Sequence, residues 1–189
     1  MQVIAGIAKG RRLHAPQGLG TRPLTARVKA SLFDILGDRV EGARVLDLFA
    51  GTGQLGIEAL SRGAAHATFV ELSQQAIEVI RRNLQETGFA EQARVVRQDV
   101  FAFVKRPEGE PFTLIFVAPP QYGGMAAKTV EALDGSALLG DDCLVVVQQF
   151  AKEPMAEGLR RLALADRRDY GSTSLLFYEV GGKPAIPDF

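Results

Sequence analysis

VLDLFAGTGQLG, residues 45–56, decides the fold: an apolar strand carries one carboxylate near its end and runs straight into a loop of closely spaced glycines. Gly51, Gly53 and Gly56 supply a turn without side chains in the way. The loop backbone can approach a ligand closely there, and a helix can start directly beneath it. Asp47 puts negative charge near the carboxyl end of the strand, where a cation or a hydroxyl is welcome and a phosphate is not.

Outward from this stretch, strand and helix patterns alternate. ARVLDLF from residue 43 is followed by a helix over about 54–61, the strand ATFVEL, a helix over about 73–87, and the strand ARVVRQD. In the second helix Ala76, Ile77, Ile80 and Leu84 share one face, with Ser73 as cap and Gly88 as terminator. FTLIFV and CLVVVQQF are almost continuously apolar, as central strands covered on both faces are, and residues 125–139 between them hold another helix. RLALADRRDYGSTSLLFYEV reads as two antiparallel strands around a turn at Tyr170–Ser172, and residues 181–189 read as a loose tail. The expectation is an α/β fold: a mostly parallel, seven-stranded sheet with right-handed crossovers and an antiparallel C-terminal strand.

Ahead of this body, residues 2–14 place two short apolar pieces on either side of Gly6 and Gly10, which predicts a small N-terminal hairpin. Thr25 is positioned to cap a helix in which Val28, Leu32, Ile35 and Leu36 recur at helical spacing until Gly37. Arg27 and Lys29 are read as lying off that apolar stripe. Residues 1–40 are thus expected to form a basic hairpin-and-helix extension, 41–180 the main domain and 181–189 a flexible tail.

With 189 residues, 47% of them hydrophobic, the chain can bury a core of its own. Its single cysteine, Cys143, excludes an intrachain disulfide and a cysteine-based zinc site, which points to a reducing, cytoplasmic setting. No apolar run approaches the roughly 20 residues that span a bilayer, so no membrane partner is expected. The 22 basic and 22 acidic side chains cancel, but not locally. Residues 1–33 hold Lys9, Arg11, Arg12, Arg22, Arg27 and Lys29 and no Asp or Glu, so the remainder is acidic by the same amount. A cationic arm on an acidic body suits a polyanion, because counterion release needs clustered Lys and Arg rather than net charge.

Gly51, Gly53 and Gly56 form GxGxxG, and Glu71 falls about 20 residues on, which is the spacing of a dinucleotide site. Asp47 opposes that reading, since a carboxylate beside the loop repels a pyrophosphate. S-adenosylmethionine carries an ammonium and a sulfonium, for which Asp47 is a favourable neighbour. Phe49, Ala50 and the glycines would then shape its pocket. Glu71, followed by Leu72, would accept both ribose hydroxyls, and Asp99, followed by Val100, would accept from the adenine amino group. For each acid the structural alternative is a strand-end residue capping the next helix. No metal is required.

VLDLFAGTGQLGIEALSRGA, FVE at 69–71, RQD at 97–99 and FTLIFVAPPQY at 112–122 resemble the cofactor and catalytic motifs of class I methyltransferases, whose fold is Rossmann-like. IAGIAKGRRL at 4–13 and GLGTRPLTARVKASLFDIL at 18–36 resemble the N-terminal signature of the RsmD family, the small-subunit ribosomal RNA guanine-N2 methyltransferases. The resemblance spans about residues 1–125. It implies methyl transfer from S-adenosylmethionine to the exocyclic amine of a guanine in ribosomal RNA, free or in the assembled small subunit. Lys9, Arg11, Arg12, Arg22, Arg27 and Lys29 would meet phosphates.

Amino-methylating members end the fourth strand in Asp or Asn, then Pro, Pro and Tyr or Phe. This chain has Ala118, Pro119, Pro120, Gln121 and only then Tyr122. An exocyclic amine is a weak nucleophile whose hydrogens need acceptors, and Ala118 offers none. The Pro119 carbonyl and Gln121 are the expected replacements, with Tyr122 stacking on the base. Two rivals remain: an RNA-binding protein with weak or no turnover and, further off, a nicotinamide-dependent oxidoreductase.

Overall fold

The computed structural model describes residues 1–15, 24–107, 109–120 and 123–181. In chain order the elements are α1 (Ala26–Leu36), β1 (Arg44–Leu48), α2 (Gln54–Ser61), β2 (His66–Glu71), α3 (Gln74–Thr87), β3 (Ala93–Arg97), α4 (Val100–Lys105), β4 (Phe112–Val117), α5 (Met125–Asp134), β5 (Leu139–Phe150), β6 (Leu162–Tyr170) and β7 (Thr173–Val180). The strands form one seven-stranded sheet in the order β3-β2-β1-β4-β5-β7-β6. The first five are parallel, and β7 runs antiparallel to both β5 and β6. The chain reverses its direction of strand addition between β1 and β4, and at such a point an open α/β sheet forms a cleft beyond its carboxyl ends.

Local chemistry sets the helix ends. The Thr25 hydroxyl accepts from the Val28 amide at the start of α1, and the Ser73 hydroxyl accepts from the Ala76 amide at the start of α3. Gly88 ends α3 in the left-handed region, at φ +84°. Two apolar layers cover the sheet. Val28, Leu32 and Phe33 of α1, Ile57 and Leu60 of α2 and Ile80 and Leu84 of α3 pack on one face with Val45, Phe69 and Phe116. On the other, Phe103 and Val104 of α4 and Val130 and Leu133 of α5 pack with Leu46, Ile115 and Val145.

Three expectations need correction. The helix expected over 125–139 stops at Asp134, and β5 begins at Leu139, four residues ahead of CLVVVQQF, through a register irregularity against β4. The helix α4 is an addition to the expected elements; it is the six residues VFAFVK capped by Asp99, less than two turns and too short to show a period. The N-terminal arm is less than a regular hairpin, with the single bridge Gln2–Arg12 among the described residues. Its amides at Ile4, Ala5, Ile7 and Ala8 turn away to Glu58 and Ser61 of α2. Val3, Ala8 and Leu13 of the arm belong to the same buried cluster as the sheet, so arm and body share a core. The tail from residue 182 lies outside the described residues.

Candidate functional site

The glycine loop is held from below by two carboxylates. Asp47 is 2% exposed, and its Oδ2 accepts from the Gly56 amide at 3.0 Å, tying the first turn of α2 to β1. Burial pushes its carboxyl up to about 7, against the Gly56 hydrogen bond and with help from the negative charge of Glu71. Glu71 ends β2, and its Oε2 accepts from the Gly51 amide at 2.9 Å. Its Oε1 accepts from the amides of Leu72 and Ser73 at 2.8 and 2.9 Å. A carboxylate has about four acceptor positions, so this arrangement leaves one, on Oε2. That position is open to a ribose hydroxyl, and the expected acceptance of a second hydroxyl would share Oε1 with the two amides.

The loop itself is bent at Phe49, whose φ of +60° is the one positive value outside glycine among the described residues. Such a backbone is costly, by about 1–3 kcal/mol, and is kept where the surroundings fix it. The Ala50 amide donates to the Val70 carbonyl, and the Gly53 amide returns to the Ala50 carbonyl. At Gly51 an added Cβ would meet nothing nearer than the Phe49 carbonyl oxygen at 3.9 Å, so the space over the loop is open to a ligand. Gly56 differs: an added Cβ would lie 2.3 Å from the Phe69 ring. Its lack of a side chain serves the packing of α2 on β2, and it shapes the site from within the fold rather than from the ligand side.

Asp99 follows β3, next to β2, at the same sheet edge. Its Oδ1 accepts from the Ala102 amide at 2.9 Å and caps α4, so the capping alternative describes that oxygen. Asp99 is exposed, Val100 is buried beneath it, and Leu72 is 61% exposed beside Glu71, an apolar side chain left open at the mouth of the site. At β4 the Ala118 amide donates to the Leu48 carbonyl at 3.3 Å, which brings the catalytic-loop candidates alongside the end of β1. Ala118 and Pro119 are half-buried and Pro120 is exposed. Gln121 and Tyr122 lie outside the described residues, as does Arg22.

The basic arm divides. Lys9, Arg11, Arg12 and Arg27 are exposed, as a phosphate-contacting surface requires. Lys29 is not. It is 2% exposed, and its ammonium donates to the Gln2 carbonyl at 2.8 Å and sits 2.9 Å from Oε2 of Glu58. The expectation that Lys29 meets RNA is corrected: α1 turns this position inward, next to Val28, and the charge is spent inside the protein.

Glu58, which no sequence motif singles out, is the hub of this region. It is fully buried on α2 and accepts from the amides of Ile4 and Ala5 at 2.9 and 3.0 Å as well as pairing with Lys29 and Arg62. Burial by itself raises its carboxyl, but the Ile4 amide, Lys29 and Arg62 outweigh that and hold it below the usual carboxylate range. Asn83, also fully buried, accepts from the His14 amide and donates to the carbonyls of His14 and Thr52, joining the arm to the glycine loop. At the far end of α2, Ser61 accepts from the Ala8 amide and donates to the Ala5 carbonyl. The visible signal for Glu58 is an acidic residue within the apolar run IEALS, with Arg62 four residues on.

The comparisons with known proteins agree with this geometry. Residues 1–179 match the family model described as "Conserved hypothetical protein 95". The ribosomal RNA small subunit methyltransferase D of Escherichia coli K12 is 38% identical over 148 residues, covering 78% of this chain and 74% of that one. Its namesake from Haemophilus influenzae is 35% identical over 157 residues, covering 82% and 81%. The solved structure of a hypothetical protein from Thermus thermophilus superposes with a TM-score of 0.82 at 34% identity, covering 95% of this chain and 99% of that one. With residues 1–179 under one family model and the methyltransferase sheet order in its fold, this chain belongs to the RsmD family of class I methyltransferases.

Proposed function

We propose that this protein transfers a methyl group from S-adenosylmethionine to small-subunit ribosomal RNA, at the exocyclic N2 amine of a guanine. The observation that carries the reading is the pair of carboxylates, Asp47 and Glu71, gripping both ends of an open glycine loop at the switch point of the sheet. Membership in a family with relatives named as small-subunit rRNA methyltransferases supports the reaction class and the RNA.

Bound S-adenosylmethionine supplies an activated methyl on a cationic sulfur. The protein's part is to place and neutralise. Asp47 sets the local field under the loop, and Glu71 offers its remaining acceptor position on Oε2 to a ribose hydroxyl. Leu72 provides an apolar surface for the adenine, with the Oδ2 of Asp99 as acceptor for the adenine amine. With Ala118 in place of an acid or amide, alignment of the amine falls to the Pro119 carbonyl and to Gln121. Alignment alone can supply about 7–11 kcal/mol.

The exposed Lys9, Arg11, Arg12 and Arg27 position the RNA through phosphates. The arm lies along α2, Met1 touching Thr52 at the loop end and Ile7 bonded to Ser61 at the other, a span of about 12 Å for eight residues of helix. Arg12 is thus at the cofactor edge and Lys9 well down the side, which gives the RNA a track rather than a point of contact. Calorimetry with S-adenosylmethionine, S-adenosylhomocysteine and NAD tests the cofactor: the first two bind and the third does not, and NAD binding alone would overturn the reading.

A further inference from the structure

Between the arm and the N-terminal ends of α1 and α2 lies a cavity of about 490 Å³, lined by Met1, Gln2, Arg12, Leu24, Ala26, Lys29 and Gln54. That volume is in the range of small-molecule sites. Gln54 is the first residue of α2, directly after the glycine loop, and is 9% exposed. Its side-chain carbonyl oxygen is buried and accepts no hydrogen bond. Buried polar atoms are almost always satisfied, and an unpaired one is unfavourable. The amide torsion of a glutamine is soft, so either end of the group can be turned to a partner in the cavity.

The lining selects the partner. Leu24, Ala26 and the thioether of Met1 form apolar walls, and Gln54 presents a hydrogen-bonding edge. Arg12 is an exposed cation at the same opening. Lys29 is committed to Glu58 and the Gln2 carbonyl. A flat heterocycle, an N–H or carbonyl edge and a phosphate are what these groups match together. No Asp or Glu among the described residues lines the cavity, so the ammonium of the cofactor's amino-acid end would find no counter-charge there. Residues 118–120 are absent from the lining too, so the occupant is not the base presented to the catalytic loop.

We infer that this cavity is a subsite for an RNA nucleotide next to the methylated one, its base edge read by the Gln54 amide and its phosphate held by Arg12. The inference rests on the reading of the chain as an rRNA methyltransferase and adds a determinant of sequence context. The test compares wild type with Gln54→Leu and Arg12→Ala in four measurements: thermal stability, the Kd for S-adenosylhomocysteine, direct binding of small-subunit rRNA, and KM and kcat for methyl transfer to that RNA.

Gln54→Leu is expected to weaken RNA binding and raise KM about tenfold while leaving the S-adenosylhomocysteine Kd unchanged. Its melting temperature stays equal or rises, because a buried unpaired oxygen has been removed, whereas a merely structural role would lower it. Replacing, in turn, each nucleotide flanking the methylated guanine should penalise wild type at one position and leave Gln54→Leu indifferent there. The inference is overturned if RNA binding is unchanged in Gln54→Leu, if S-adenosylhomocysteine binding falls by the same factor, or if no flanking position distinguishes the two proteins. If wild type transfers no methyl at all, the activity reading fails, while the direct RNA-binding comparison still decides the subsite.

Discussion

The ammonium of Lys29 lies 2.9 Å from Oε2 of Glu58, with the two side chains 2% and 0% exposed. The pair closes a joint of three elements, because Glu58 also accepts from Ile4 and Ala5 of the arm and Lys29 donates to Gln2. Removing one partner of a buried pair strands the other charge and costs about 3–5 kcal/mol. Glu58→Ala is therefore expected to lose about that much in denaturant unfolding, and the double variant Glu58→Gln, Lys29→Met distinctly less. A single-variant loss well short of that range, no larger than for an exposed ion pair at about 1 kcal/mol or below, would show that the arm is not anchored here.

Asp47 gives the site a pH dependence. Its carboxyl stands at about 7 in the folded chain against 3.8 for the free side chain. The folded state thus holds the proton longer than the unfolded one, so this group's contribution to stability falls as pH rises from about 4 to 7 and is level above. Binding of a cationic sulfur favours the ionised form. Affinity for S-adenosylmethionine is expected to rise by up to about eightfold from pH ~6 to ~7.5, since the ionised fraction rises by that factor for a pKa near 7. Calorimetry at the two pH values checks this. S-adenosylhomocysteine, with its neutral sulfur, and the Asp47→Asn variant should both show the smaller change.

How much of this was legible in the sequence differs by residue type. The strands β1, β2 and β4 were readable because apolar runs between glycine and polar breaks need only local pattern, and the caps Thr25 and Ser73 because a hydroxyl meets an amide three residues on. The meeting of Glu58 with Ile4 was not, since the partners are 54 residues apart and the local pattern that marks Glu58 does not point to its partner. Lys29 looked like a surface charge by its type, and its burial follows from a partner on another helix. The acids at 47, 71 and 99 stand at adjoining strand ends, as the alternating pattern implies. Their bonding to backbone amides was only partly foreseeable, because it depends on the loop's path.

The arm's charges separate into two kinds that salt distinguishes. Each phosphate of a single-stranded nucleic acid that a basic side chain neutralises contributes about 0.7 to the steepness of log affinity against log salt. Replacing Lys9, Arg11 and Arg12 by Gln is expected to reduce the slope by about 2, measured by filter binding of small-subunit rRNA. The double variant Glu58→Gln, Lys29→Met, which removes the buried pair together, should leave the slope as in wild type. An unaltered slope in the triple variant would remove the arm from the RNA interface.

Ala118 tests how the catalytic loop works. Its amide is bonded to Leu48, which fixes the backbone while the side chain supplies no acceptor. If alignment of the amine falls to Pro119 and Gln121, as proposed, Ala118→Asp is expected to lower kcat, by about tenfold, through an unneeded charge beside the base. Single-turnover transfer measures it. A large gain in rate would instead show that the native loop lacks an acceptor it needs.

We propose that carboxylates at adjoining strand ends hold a methyl donor against an RNA guanine. The most direct test is incubation with tritiated S-adenosylmethionine and small ribosomal subunits or their free RNA, followed by digestion to nucleosides. The expected result is label in N2-methylguanosine, at one position, and its loss in Glu71→Ala. No transfer to either substrate despite measured binding of both, or label in another nucleoside, would contradict it.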